Sequence, residues 1–323
     1  MSEQEKLFLG VDIGGTKVAA GLVTGSGEIV FKTRAPMNAR GSAEEGFDSV
    51  RQAIDAALAA KPGVALGGVG ITSPGPLDPR SGLVLNPPNL PCWRNFPLVE
   101  RIRAAYGVHA RLDNDANAAG LAEALWGAGR GYRWVFYATL GTGIGTGIIL
   151  DGRIYHGRTG AAAEGGHMTI DYHGPLCGCG KYGCIEVLAS GPAIAARARA
   201  GLASAGDRGA KLLQLAGGRA EQITAETVAT AWLKGDALSS ECLSQTFDLV
   251  AIWLGNIVDI LEPEVMIFGG GVGELASEWF AYIRSKLPAW SINPRCQEIP
   301  LLLARYGADS GVPGAAALCL TPQ

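Results

Sequence analysis

LFLGVDIGGTKVAAGLV, residues 7–23, is an apolar run, a Gly-Gly turn and a second apolar run. WVFYATLGTGIGTGIIL, residues 134–150, repeats that plan around a Gly/Thr-rich turn. Strand-forming residues on both sides of small turn residues read as β-hairpins whose tips carry bare backbone amides. Two such hairpins, more than a hundred residues apart, predict two α/β domains built on one plan.

Outward from the hairpins, helical signals fill the gaps. Ser42-Ala43-Glu44-Glu45 is a capping box, and Phe47, Val50, Ile54 and Leu58 behind it fall on one helical face. A second helix starts near Asp115 and runs through DANAAGLAEALWGAG. Apolar-periodic stretches from about Ala225 to Leu261 read as helices ahead of the strand VMIFGGG, residues 265–271. A last helix, GVPGAAALCL, follows Asp309-Ser310, which can cap it. No low-complexity linker or short-period repeat interrupts the pattern.

Length and composition agree with this division. At roughly 150 residues per domain, 323 residues make about two domains. Hydrophobic residues at 48% and charged residues at 18% are ordinary for a globular chain and too apolar for a disordered one. A net charge of -3 gives no electrostatic reason to expect nucleic acid or an anionic membrane as partner. MSEQEK lacks the basic and apolar regions of a secretory signal, and no apolar run approaches the ~20 residues needed to span a bilayer. The expected location is the cytoplasm, where thiols stay reduced and structural disulfides are rare.

That expectation bears on Cys177, Cys179 and Cys184, which crowd into CGCGKYGC beside His167 and His173. Reduced thiolates at this spacing with a nearby imidazole suit a closed tetrahedral zinc site, and thiolates disfavour magnesium or calcium. The spacing leaves His167 and His173 both open as the fourth ligand. Cys92, Cys242, Cys296 and Cys319 are scattered among apolar neighbours and read as small core residues.

Three glycine-rich turns each follow an apolar strand: DIGGTK, LGTGIGTG and FGGGVG. β-formers follow GTGIGTG where a dinucleotide fingerprint would open a helix, and no GxxxxGK[ST] loop occurs. The amides of Gly14, Gly15, Gly141, Gly143, Gly270 and Gly271 can receive phosphate oxygens, with Thr16, Lys17, Thr142 and Thr146 as further donors. Asp12, ending the first strand, is placed to hold a hydrated magnesium ion beside those phosphates. The proline-rich stretch 73–98 fixes an extended loop in which Asn89 can donate to a ligand hydroxyl, with Trp93 packed underneath as the plainer reading.

Together DIGGTK, LDNDANAAG (112–120), LGTGIGTGIILDG (140–152), EGGH with CGCGKYGCIE, and FGGGVG resemble the ROK family of sugar kinases and repressors, from about residue 7 onward. The resemblance implies an actin/hexokinase-like (ribonuclease H-like) α/β fold, two domains around an interdomain cleft that closes on sugar and ATP. It divides the chain into 1–116 plus 309–323, with the C-terminal helix returning to the first domain, and 117–308 carrying the zinc loop. It makes Asp115 the catalytic base and Asn114 a sugar ligand. Glu164, His167 and Glu186 become further sugar ligands, and His167 with Cys177, Cys179 and Cys184 the structural zinc ligands. His173 is then a solvated loop residue. It also implies a homodimer, with ATP, Mg²⁺ and Zn²⁺ as cofactors.

These roles are chemically coherent. Phosphoryl transfer has a loose transition state, so positioning and charge neutralisation dominate, and a carboxylate at a helix N-terminus suffices to orient a primary hydroxyl. A repressor of this family would carry a helix-turn-helix domain ahead of the first hairpin, for which no room precedes Leu7, and a silent sensor would be expected to lose Asp12 or Asp115. An enzyme is therefore expected, acting on glucose first, N-acetylglucosamine or N-acetylmannosamine second, and fructose third.

Overall fold

In the computed structural model, which describes residues 6–320, the two hairpins lie in two separate sheets. β1 (Leu7–Ile13) and β2 (Lys17–Val23) pair antiparallel with Gly10 opposite Gly21, and β3 (Ile29–Pro36) continues the meander. On its other side β1 runs parallel to β4 (Leu66–Thr72), and β4 parallel to β7 (Ala110–Asp113), giving the order β3-β2-β1-β4-β7. Between β4 and β7 in sequence, β5 (Leu77–Asp78) and β6 (Leu83–Val84) form a small ladder of their own. Register aligns Asp12 with Thr72 and Thr72 with Asp113, so three polar residues form one row where the parallel strands end. Ligands of open α/β sheets gather at such carboxyl ends.

Both faces of β1 are covered, which explains its unbroken apolar run. Leu7, Leu9, Val11 and Ile13 share a core with Phe47, Val50 and Ile54 of α1 (Ala43–Ala59), and Leu58 packs against it. The expected capping box opens α1: Ser42 Oγ accepts from Glu45 N at 3.3 Å, and Glu45 Oε2 accepts from Ser42 N at 2.6 Å. On the opposite face lies α11 (Gly311–Ala317). A β-carbon at Gly10 would sit 2.0 Å from the Val312 carbonyl oxygen, and one at Gly70 1.7 Å from that of Ala315. Bare glycine is what lets this helix lie directly on the sheet. Ser310 does not cap it through its side chain: its own backbone is already helical (φ −62°, ψ −24°), while Asp309 pairs with Lys32 at 2.5 Å.

α2 (Leu98–Tyr106) leads into β7, and α3 (Asp115–Trp126) follows it. Trp93 is buried under the proline-rich loop, stacked on Phe96 with ring centroids 5.0 Å apart.

The second sheet has the order β10-β9-β8-β11-β12, built from β8 (Trp134–Leu140), β9 (Ile144–Leu150), β10 (Arg153–Ile154), β11 (Val265–Gly269) and β12 (Leu301–Leu303). The two sheets therefore share one plan: a three-strand meander whose first strand is flanked by two later strands. Around unit 2 of the chain stand α4 (Ile185–Ala189), α5 (Gly191–Ala205), α6 (Ala210–Leu215), α7 (Ala225–Leu233), α8 (Ala237–Leu261), α9 (Gly271–Ser277) and α10 (Phe280–Lys286). Asp236 caps the long α8 from a buried position, accepting from Ser239 N at 2.8 Å and Leu212 N at 3.1 Å.

The chain clusters into unit 1, Met1–Tyr137, Gly147–Ala163 and Ala304–Gln323, and unit 2, Ala138–Thr146 and Glu164–Leu303. This differs from the expected 1–116 plus 309–323 and 117–308. α3 stays with unit 1 because Gly314 of α11 lies against the Ala118-Ala119 backbone, a β-carbon there meeting it at 3.0 Å. The buried Glu123 carboxylate reinforces this by accepting from Tyr306 N at 2.9 Å. Two single cysteines, Cys242 and Cys296, are buried as expected, whereas Cys92 and Cys319 are half-buried.

Candidate active site

Unit 1 contributes the ends of β1, β4 and β7. Asp12 Oδ1 accepts from Thr72 Oγ1 at 2.9 Å, and burial pushes its carboxyl above the usual range against the pull of that hydrogen bond and of Lys32, Lys17 and Arg34. A cation beside it would favour the charged form. In the adjoining turn Gly14 N donates to Lys17 O at 2.9 Å, and Thr16 and Lys17 are exposed. Asn89 is exposed too, and its carbonyl would lie 2.9 Å from a β-carbon at Gly15, so the proline-rich loop borders the DIGGTK turn.

The NDAN segment turns from strand to helix. Asn114 is the N-cap of α3: its Oδ1 accepts from Ala116 N at 2.8 Å and Asn117 N at 3.4 Å, leaving its Nδ2 amide to donate. Asp115, at the first helical position, is exposed and accepts from Ala116 N at 2.8 Å. The helix cap is thus Asn114, so Asp115 is not needed as one. Asp113, which carries no expected role, is buried and anchors this turn. Its Oδ1 accepts from Asn114 N at 2.8 Å and Asn117 Nδ2 at 3.0 Å, and its Oδ2 faces His156 Nε2 at 2.6 Å. Its place in the quoted DNDAN run was the available signal; His156 offered none beyond its residue type.

Unit 2 brings the EGGH, Cys-rich and GTGIG segments together. Gly166 lies so close to β9 that a β-carbon would be 1.8 Å from the Ile144 carbonyl oxygen, which is why the segment reads GG. Gly165 N donates to Thr146 Oγ1 at 2.8 Å, and Gly165 O accepts from the buried Trp253 Nε1 at 3.1 Å. Thr146, expected among the phosphate donors, is instead buried and holds this segment. Glu164 is exposed at its start. Glu186, on α4, has Oε2 accepting from Ile144 N at 2.9 Å and Oε1 3.9 Å from His167 Nδ1. One carboxylate therefore ties the glycine turn to the cysteine loop.

His167, Cys177, Cys179 and Cys184 present ligand atoms all within 4.8 Å of one another. Cys177 Sγ is 3.6 Å from His167 Nδ1, and Cys179 Sγ is 3.6 Å from Cys184 Sγ. Tetrahedral zinc with sulfur at ~2.3 Å and nitrogen at ~2.0–2.1 Å has ligand–ligand edges of about 3.6–3.8 Å. Burial, and then the neighbouring Cys179 and Cys177 thiols, push Cys184 up to about 12, and a bound cation would favour its thiolate. The donor set fits zinc. His173 stays outside it, exposed against Tyr172.

Gly141, Thr142 and Gly271 also meet, on a unit 2 cavity of about 450 Å³ whose wall adds Gly191, Arg199 and Glu226. Gly191 N donates to Gly141 O at 2.8 Å, so α5 begins at the edge of the glycine turn. A helix N-terminus is an anion-favouring end. The last three residues were not singled out in the sequence, since they belong to helices whose openings look ordinary.

The comparisons agree with this geometry. A glucokinase of Thermotoga maritima is 33% identical over 311 residues, 96% of each chain. An N-acetylmannosamine kinase of Salmonella typhi is 32% identical over 310 residues, 96% of this chain and 97% of the relative. The crystal structure of a ROK family glucokinase from Streptomyces griseus in complex with glucose and AMPPNP superposes with a TM-score of 0.79 at 35% identity, covering 97% of this chain and 98% of that one. The two sheets with their helices are the actin/hexokinase-like fold of that structure. The ROK family profile matches residues 8–321, and the chain belongs to the ROK family.

Proposed function

We propose that this protein transfers the γ-phosphoryl group of ATP to the primary hydroxyl of glucose, yielding glucose 6-phosphate. The chain is an ATP-dependent hexose kinase of the glucokinase type, by its family and its relatives. The choice of glucose rests on one observation: the solved Streptomyces griseus relative, 35% identical across 97% of the chain, holds glucose and an ATP analogue.

In this reading Asp115 orients the hydroxyl and accepts its proton late, as the loose transition state requires. Asn114 donates through Nδ2 to the sugar, and Glu164, His167, Glu186 and Asn89 bind further hydroxyls. The amides of Gly14, Gly15, Gly141, Gly143, Gly270 and Gly271, with Thr16, Lys17 and Thr142, receive the nucleotide and its phosphates. The cavity beside Gly141 and Gly271 has room for its base. Asp12 would hold magnesium, which neutralises phosphate charge when bound. Zinc at His167, Cys177, Cys179 and Cys184 leaves no open position, so it acts structurally and stiffens the loop that presents Glu164 and Glu186.

The N-acetylmannosamine kinase at 32% identity supports a second reading, phosphorylation of an acetamido-hexose. An acetamido group needs only a slightly larger pocket beside the second carbon, and fructose remains third. An ADP-release assay over glucose, mannose, fructose, N-acetylglucosamine and N-acetylmannosamine separates them. Glucose should exceed every acetamido-hexose in kcat/KM by about 10-fold or more, the size of discrimination one pocket group supplies. The reverse order would establish the second reading.

A further inference from the structure

Unit 1 contains a larger cavity, of about 640 Å³, whose lining includes the end of β7. Four guanidinium groups line it: Arg80, Arg103, Arg111 and Arg153, with His109 and His156 between them. Such a concentration stands out in a chain whose net charge is -3. Two of the four, on Arg80 and Arg103, bond backbone carbonyls. Arg80 Nη2 donates to Gly157 O at 3.0 Å, Arg103 Nη2 to Ala110 O at 3.0 Å, and Arg111 Nε to His109 Nε2 at 3.1 Å. The one carboxylate in the lining, Asp113, is engaged by His156, Asn114 and Asn117. The lining thus carries four guanidiniums to one engaged carboxylate, an excess of positive charge.

We propose that this cavity is a binding site for a small aliphatic polyphosphate ester, a compound of the sugar-bisphosphate class, separate from the glycine turns that take the phosphoryl donor. Arginine forks match phosphate geometry and are the residue of choice for it. The volume lies in the range of sites for whole small molecules, far beyond what one inorganic phosphate fills. No Phe, Tyr or Trp lines the cavity, so nothing offers a base a stacking partner; Val99, Leu112 and Ile154 suit an aliphatic body. His109 reports the same field: burial first, then Arg111 and Arg103, hold its imidazole below the usual range.

The site has a route to the chemistry, a point that rests on Asp115 being the base. Asp113 forms part of the cavity wall through His156 and anchors Asn114 and Asn117 on either side of Asp115. A ligand that engages His156 changes the support of that turn.

The test is calorimetric titration of the full chain with fructose 1,6-bisphosphate at low ionic strength, with saturating AMPPNP present to occupy the donor site. Wild type should bind about one equivalent. Arg103→Ser/Arg153→Ser, both exposed in the structure, should weaken binding by about 10-fold or more, as expected when charge-assisted contacts are lost. Absence of binding, or equal binding by the double variant, overturns the proposal. A second readout needs no variant: the bound ligand should raise the NMR-measured pKa of His109 in wild type, and an unchanged value also overturns it. Neither measurement involves turnover, so either can fail while the kinase reading stands, and the reverse.

Discussion

Gly166→Ala should cripple sugar handling while leaving the fold. The new β-carbon would lie 1.8 Å from the Ile144 carbonyl oxygen, about 1.6 Å inside the 3.4 Å at which ordinary contact begins. The oxygen belongs to a strand and cannot swing away, so the EGGH segment must lift off β9. Lifting it lengthens the 2.8 Å bond from Gly165 N to Thr146 Oγ1 and the 3.1 Å bond from Trp253 Nε1 to Gly165 O. Each is buried, and leaving such a group unsatisfied costs about 1–3 kcal/mol. Two together predict about 2–6 kcal/mol of local destabilisation, seen as a lowered thermal midpoint. Catalysis should suffer more, because a misplacement of about 1 Å can cost 10²-fold and both Glu164 and His167 ride on the displaced segment. The assay is steady-state kinetics with sugar and ATP varied separately. The sugar KM should rise and kcat/KM for sugar fall about 100-fold, with the ATP KM little changed. Thr146→Val removes the hydroxyl that accepts from Gly165 N and should show the same pattern more weakly. Unaltered sugar kcat/KM in Gly166→Ala would refute the idea that contact with β9 positions this segment.

Three further outcomes are expected. Asp115→Asn should cut kcat by two or more orders of magnitude, as general-base loss does, with little change in thermal midpoint because Asn114 caps the helix; retained activity in steady-state assay would remove Asp115 from the chemistry. Purified protein should contain about one zinc per chain by elemental analysis, and Cys179→Ala should lose it, melt earlier and bind sugar more weakly before ATP affinity changes; a metal-free wild type with full sugar affinity contradicts this. Excess EDTA followed by added magnesium should abolish and then restore turnover, and activity that persists without magnesium would eliminate Asp12 as its holder.

Much of this architecture could be read from residues alone, for identifiable reasons. The hairpins, α1 with its capping box and the helices after Ala225 are local patterns, and local patterns carry their own periodicity. The cysteine loop was legible because three thiols in eight positions leave few chemical options. What escaped notice depends on partners distant in sequence. Asp113 carried no expected role until His156, 43 positions later, faced it. Thr146 looked like a phosphate donor until the fold buried it, with its hydroxyl accepting from Gly165 N. The unit boundary moved because the contact of Gly314 with α3 spans most of the chain. Ser310 failed as a cap because the turn before it had already wound into the helix.

The seat of α11 on Gly10 and Gly70 has a consequence for how the protein is made. β1 is synthesised before the other strands of its sheet, yet the helix that covers one of its faces lies about three hundred residues later. Domains form during synthesis at about 5–20 residues per second, so the sheet of unit 1 waits on the order of 15–60 s with that face bare. Unit 2, encoded in between, can meanwhile complete its own core. Unit 1 is therefore completed out of order in time: its sheet is begun before unit 2 and covered after it. A nascent chain halted before residue 311 should expose a sheet face of small residues and be captured by chaperones, whereas one carrying α11 should be released folded.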